Sequence, residues 1–337
     1  MGRRRHSRTQ VEVDHQSEFF QLACASRDLY PEFAESLKEE TGVDIELDPT
    51  GTLCLGFTQA DEEELHRRYQ WQTGEGFQVE WLTGGEARRL EPHVSANVRC
   101  ALRFPRDVQV ENRRLVEALV RANEELGVQL VVNTAVTALG IKDERVCGVE
   151  TSNTFVAAPV VVVAAGAWSS LIDSPSVPSI RVEPVRGQML CFSADPNIAR
   201  HVIYSAHGYL VPRRDGRVLA GSTAEHVGFD KRVTDDGVSA IKAMALEIVP
   251  AIADLPLLGS WAGFRPCAPD DLPVLGPCAE IGGLLYATGH YRNGILLAPI
   301  TGKVIADAIV DDVMPPSLSA FSPDRFRRAN DDEAIAV

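Results

Sequence analysis

Four consecutive valines, Val160 to Val163, lie inside an apolar stretch from Phe155 to Trp168, and nothing else in the chain restricts its fold so tightly. A strand with one wet face alternates apolar and polar side chains, whereas a continuous β-branched run marks a strand covered on both faces. Such strands belong to parallel sheets sandwiched by helices, whose carboxyl ends open onto a ligand-binding edge. The run therefore predicts an α/β core with its ligand edge at Ala164 to Ser169. Pro159 interrupts the stretch, which falls short of the roughly 20 apolar residues that cross a bilayer, so no membrane span is expected.

Around this strand the periodicity changes several times. Residues 16 to 41 carry apolar side chains at helical spacing, interrupted by Pro31 and stopped by Gly42, which predicts two helical pieces. Alternation in Val43, Ile45 and Leu47, the turn residues Pro49, Thr50 and Gly51, and renewed alternation at Leu53 and Leu55 predict a hairpin. Residues 59 to 72 read as a helix whose charged positions form a solvated face. Glu111 to Leu126 is a strongly periodic helix ended by Gly127. Residues 128 to 133 (VQLVVN) read as a strand, and 136 to 153 as a β-meander. From Arg181 to Arg265 alternating strands predict an antiparallel sheet, with a helix at Asp235 to Val249 before Pro250. A final strand (283 to 290), a turn at 292 to 295 and a helix from Leu296 to Val310 return the chain to the first sheet. No internal repeat is present.

Composition narrows the function. A net charge of -14 opposes binding to phosphate backbones, so nucleic acid is not an expected partner. The seven cysteines are scattered without CxxC spacing, which indicates neither a disulfide framework nor a zinc site. Cys147 and Cys191 read as small buried hydrophobes. The opening MGRRRHSR leads into Glu12 and Asp14 without a hydrophobic run, so it reads as a basic tail rather than a secretory signal, and a cytoplasmic location is expected. His201, His207, His226 and His290 lack metal-ligand spacing, Ser169 and Ser170 lack a GxSxG context, and no GxxxxGKS occurs.

Chemistry concentrates in three places. Gly289 and Gly294 flank a tight strand-to-helix turn, where amides at a helix N-terminus can approach an anionic or electron-rich group, with Arg292 and Asn293 as directional donors. An ordinary turn with glycines for geometry is the other reading. Arg265, between Gly263 and Pro266 in an apolar setting, reads as a buried guanidinium, for which a bidentate substrate carboxylate or an internal ion pair is the partner. Tyr209 can offer a hydroxyl to a carboxylate or serve as a core tyrosine. His207, two residues before it on the same strand face, more simply has no role.

Three segments in order, VVVVAAGAWSS (160 to 170), WAGFRP (261 to 266) and GHYRNGILLAPITGKVIADAI (289 to 309), resemble the D-amino-acid oxidase and sarcosine oxidase superfamily of FAD enzymes. LYPEFAESLKEETGVDIELDPTGTL (29 to 53) narrows the resemblance to its glycine oxidase branch, which serves thiamine biosynthesis. The resemblance implies FAD as cofactor, a small amino acid or amine as substrate, oxygen as acceptor and a homo-oligomer. Its substrate-carboxylate arginine matches Arg265, its second substrate-contacting arginine Arg292, and its active-site strand Tyr209 and His207. Backbone at Val136 would meet the adenine, and Ala164, Ala165 and Gly166 would line the nucleotide passage. Gly289, His290, Tyr291, Arg292, Asn293, Gly294, Ile295 and Leu296 would approach the flavin, and Trp168 would pack in the core at the domain junction.

The implied fold is a mixed α/β one: a Rossmann-like FAD-binding domain, N-terminally truncated, interleaved with an antiparallel-sheet substrate domain. Expected boundaries are a disordered basic tail (1–15), a mainly substrate or cap part (16–105), an FAD-binding part (106–175), the antiparallel sheet (176–265), the C-terminal FAD-binding part (266–326) and a tail (327–337). The superfamily opens with a strand, a GxGxxG turn and a helix, and the 337 residues contain no such motif. About 40 to 50 residues are expected to be missing, from the size of a βα unit and its next strand. A late start codon, an inactive product and a substrate domain kept for another purpose all fit.

Overall fold

The computed structural model describes residues 17–174, 180–194 and 198–326. The tails expected at 1–15 and 327–337 lie outside the described residues. In chain order come α1 (Glu18–Thr41), β1 (Thr52–Gly56), α2 (Gln59–Gly74), β2 (Glu80–Thr83), α3 (Gly84–Leu90), β3 (Cys100–Phe104) and α4 (Asn112–Glu125). The short strands β4 (Val136–Lys142), β5 (Arg145–Thr151), β6 (Phe155–Ala157) and β7 (Val161–Val163) follow. Next are β8 (Glu183–Ser193), β9 (Val202–Ser205), β10 (Gly208–Pro212), β11 (Arg217–Gly221) and α5 (Asp235–Ile248). The chain closes with β12 (Leu257–Cys267), β13 (Val274–Pro277), β14 (Leu284–Thr288) and α6 (Gly294–Val310).

The chain divides into two compact units. The first takes in Tyr30–Glu125 and Arg186–Gly263. Its sheet has the order β12-β8-β11-β10-β9-β1-β3-β2, antiparallel throughout the β8-β11-β10-β9 run and parallel where β1 meets β9. Alternation along each strand sends side chains to two cores. On one face Leu190, Phe192, Leu210 and Val218 pack with Ile241, Met244 and Ile248 of α5. On the other, Cys54, Leu102, Phe104 and Tyr204 pack with Leu65 of α2. Both helices start from a threonine: Thr58 caps α2 in a reciprocal capping box with Asp61, and Thr234 caps α5.

The second unit takes in Ser17–Leu29, Leu126–Val185 and the chain from Phe264 onward. A three-stranded sheet of order β13-β14-β7 pairs β14 with β7 in parallel, and β4, β5 and β6 form the expected meander. Leu139, Val146, Val163, Val182, Val274 and Leu284 make its core.

Several local expectations are corrected. Helix α1 is continuous through Pro31 rather than two pieces, because Phe20, Ala23 and Tyr30 before the proline and Leu37 after it are all buried, which offsets the lost hydrogen bond. Val43 to Leu47 form no hairpin with Thr52–Gly56. Val43 and Ile45 are buried against Leu37 and Leu115 instead, while β1 takes β3 and β9 as partners. Residues 128 to 133 form no strand, since no described residue pairs with them, and Val131 and Val132 are 63% and 76% exposed. The valine run is not buried on both faces: Val163 lies in the core with Val161 packed against it, whereas Val160 on the other face is 39% exposed. Cys147 is exposed on β5, whereas Cys191 is buried as expected.

Candidate active site

The ligand edge predicted after the valine run belongs to the second unit. Because β7 and β14 are parallel neighbours, the segments leaving their carboxyl ends, Ala164–Ser169 and Gly289–Asn293, emerge at one sheet edge. Gly166 takes a left-handed conformation (φ +55°) with nothing within 4 Å of where a Cβ would lie. Gly289 is left-handed too (φ +71°), as is Tyr291 (φ +50°), which reverses the chain before α6. Asn293 is buried as the N-cap of α6, and its carbonyl accepts the Leu297 amide at 2.8 Å. The amides of the first helical turn, including those of Gly294, Ile295 and Leu296, lie at the N-terminal, positive end of the helix dipole.

Backbone pairing joins the two segments that carry the arginines. Cys267 at the end of β12 bridges His290 in antiparallel fashion, and the Tyr291 amide donates to the Pro266 carbonyl at 2.7 Å. Arg265 and Arg292 each lie two positions from that bridge, Arg292 beyond the left-handed turn at Tyr291. Arg265 is half-buried, not the fully buried guanidinium expected, because the end of β12 lies near solvent. Arg292 stacks on the Tyr291 ring with 5.3 Å to its centroid, and its Nε is buried without a hydrogen-bond partner. The His290 ring shares a hydrogen bond with Thr301 Oγ1 at 3.0 Å, and desolvation pushes its pKa down to about 4, so it is neutral at pH 7. Trp168 is no core residue: it is 51% exposed and meets Phe264 edge-on at 6.0 Å. Val136 opens β4 and is partly exposed.

Tyr209 lies on β10 of the first unit, paired with Gly221 of β11. Its hydroxyl is 3.5 Å from Met189 Sδ, its ring lies 5.3 Å from that of Tyr204, and a Cβ at Gly221 would meet the hydroxyl at 3.2 Å. His207 is not on the strand face with it. It sits in the β9–β10 turn, exposed, with Nδ1 2.9 Å from a Glu247 carboxylate oxygen of α5. A cavity of about 540 Å³ lies beside this pair, lined by Ser222, Thr223, Ala240 and Met244.

Sequence reasoning missed a buried charged cluster. Arg186 of β8 is 4% exposed and donates to the Glu225 carboxylate and to the Asp230 and Arg232 carbonyls. Gln188 donates to Glu225 at 2.7 Å and accepts the Thr234 amide at 2.8 Å, so the loop after β11 is tied to β8. Desolvation raises the Glu225 pKa, but bonds from Arg186, Thr223 and Gln188 outweigh it and hold the carboxyl below its usual range. An arginine two residues from a glutamine on an apolar strand was the available signal.

A glycine- and alanine-lined edge at adjacent parallel strands, a helix N-terminus and two nearby arginines are features able to receive a nucleotide cofactor and an anionic group. The family described as FAD dependent oxidoreductase matches residues 4–308, and the chain belongs to that family, whose cofactor is FAD. Glycine oxidase of Geobacillus kaustophilus is 36% identical over 315 residues, spanning 93% of this chain and 83% of that protein. The bifunctional protein ThiO/ThiG of Trichormus variabilis is 36% identical over 314 residues, 91% of this chain and 46% of that one. The crystal structure of the Geobacillus glycine oxidase has a TM-score of 0.89, covering 93% of this chain and 85% of that one. The fold class is therefore that of FAD-dependent oxidases with Rossmann-like domains, as the sequence implied.

The residues fit FAD, with the Ala164–Gly166 passage suited to the nucleotide and the turn before α6 to the flavin. Ala164 is exposed, Gly166 leaves open space, and the unpaired Arg292 Nε and the first turn of α6 offer donors. No glycine-rich turn of the GxGxxG kind is present among the 337 residues to hold the pyrophosphate. Among the described residues, no helix is long and apolar enough to cross a membrane, and no His, Cys, Asp and Glu group could hold a metal ion.

Proposed function

We propose that this chain carries out FAD-dependent oxidative deamination of glycine or a related small amino acid, in the service of thiamine biosynthesis. In that reaction glycine, oxygen and water become glyoxylate, ammonia and hydrogen peroxide. The observation that carries the reading is that the segments bearing Arg265 and Arg292 adjoin, joined by the Cys267–His290 bridge and the Tyr291–Pro266 hydrogen bond. Two cations on adjoining segments suit a bidentate carboxylate. FAD, when bound, supplies the hydride acceptor. The chain supplies position and a field that favours the carboxylate while the amine nitrogen stays unpaired. The similarity to glycine oxidases supports glycine as substrate, and the similarity to ThiO/ThiG supports the thiamine link. Pocket width distinguishes glycine from sarcosine or other small amines.

Arg265→Ala should raise the Michaelis constant for glycine by about 10- to 100-fold, the worth of a charge-assisted hydrogen bond, with the FAD dissociation constant unchanged. An equal loss of flavin affinity would overturn the assignment.

A second reading is favoured by the exposed apolar segment Leu126 to Val132 together with the lack of a glycine-rich turn. In it, tight FAD binding needs a nucleotide-binding strand, turn and helix from outside these 337 residues, from a longer form or another chain. Absorbance between about 350 and 500 nm after adding FAD and then glycine without oxygen separates the two, since oxidised flavin absorbs there and reduced flavin does not. A band that bleaches supports the first reading, and a colourless protein the second.

A further inference from the structure

Two hydroxyls that no part of the proposed chemistry uses lie between the segments offered to the flavin. Thr288, the last residue of β14, is 1% exposed, and Ser169 lies in the helical turn after β7. Their oxygens are 2.7 Å apart, and both reach the Gly166 carbonyl, Ser169 Oγ at 2.8 Å and Thr288 Oγ1 at 3.2 Å. Two hydroxyl protons thus serve three contacts. In one arrangement Ser169 donates to Gly166 and Thr288 to Ser169. In the other Thr288 donates to Gly166 and Ser169 to Thr288. Either hydroxyl alone can still reach the carbonyl.

The accepting residue is the one that must be held. Gly166 is left-handed with open space where a side chain would be, and Gly289, directly after Thr288, is left-handed as well. Both segments pass through conformations that other residues disfavour, so their mutual placement depends on contacts such as these. We infer that Ser169 and Thr288 form a redundant hydroxyl clasp: two positioning residues that lock the Ala164–Gly166 passage to the Gly289–Asn293 turn so that the flavin meets one rigid edge. The link to flavin rests on the function proposed above, while the clasp itself is a property of the chain.

Redundancy makes the test specific. Hydrogen exchange of the cofactor-free protein is followed in residues 164–171 and 289–294 for Ser169→Ala, Thr288→Val and the double variant. Each single variant keeps one side-chain donor to Gly166 and should exchange within about threefold of the parent, whereas the double variant should exchange at least tenfold faster in both segments, since it removes both side-chain donors that tie the two segments together. Ser169→Ala combined with Thr288→Ser should return both segments to parent rates. A double variant that unfolds while the singles match the parent is the same non-additivity at its limit. Additive effects, or faster exchange around residue 288 alone, would overturn the clasp. FAD titration of the same proteins is read separately: the clasp predicts weaker binding in the double variant and recovery with Thr288→Ser. A parent that binds no FAD would count against the flavin reading while the exchange result still decides the clasp.

Discussion

Arg265 and Arg292 were legible as candidates because an arginine in an apolar setting or beside a glycine-flanked turn needs an anion. What a linear reading could not supply is the bridge between Cys267 and His290, which aligns two segments more than twenty positions apart in sequence. The same holds for Thr288 and Ser169, whose neighbourhood exists only once β14 lies beside β7. His290 gives a prediction at this scale. Burial depresses its pKa to about 4 in the folded protein, against roughly 6.5 unfolded. Between those values the unfolded chain binds a proton that the folded one does not, so stability falls as pH drops from about 6.5 to about 4 and levels off below. The His290 contribution is at most about 1.4 kcal/mol per pH unit across that window. His290→Gln keeps a polar partner for Thr301 and cannot titrate, so urea unfolding at pH 7 and pH 5 should show a smaller loss than the parent. Identical pH dependence would show that the ring is solvated in the folded state.

At the scale of elements, local signals succeeded where packing agreed with them. The helix expected at 59–72 exists because Thr58 and Asp61 satisfy each other's backbone amides, Thr58 Oγ1 accepting from Asp61 at 3.1 Å and Asp61 Oδ2 from Thr58 at 2.9 Å. Thr58→Ala should therefore cost about 1 kcal/mol, measured by urea unfolding, with the sheet beneath it intact. A change under about 0.3 kcal/mol would mean that Asp61 alone suffices. The misread hairpin shows the opposite case. Alternation at Val43, Ile45 and Leu47 does record burial, yet burial against α1 and α4 produces the same pattern as a strand, and pattern alone cannot name the partner. Residues 128 to 133 have strand propensity with nothing described to pair with, and propensity without a ladder leaves the backbone irregular.

For the whole molecule, the mixed α/β class was readable from the changes in periodicity along the chain. The degree of cover on the second unit was not. Continuous valines imply two buried faces, yet Val160 is 39% exposed, Val128 and Leu130 are each 46% exposed, and Leu126 is 78% exposed. Contiguous apolar exposure of this kind is uncommon on a soluble surface and marks a face that other protein or a hydrophobic probe can occupy. Native protein should therefore bind the dye anilinonaphthalene sulfonate, and replacing Val131 with Lys and Val132 with Glu should remove at least about half of the fluorescence. Both side chains are largely solvated, so folding stability should change by less than about 0.5 kcal/mol. Dye binding that persists in the double variant would place the apolar surface elsewhere. A parent that binds no dye would mean that the face is covered in solution, and cross-linking through Val131→Cys would then identify what covers it.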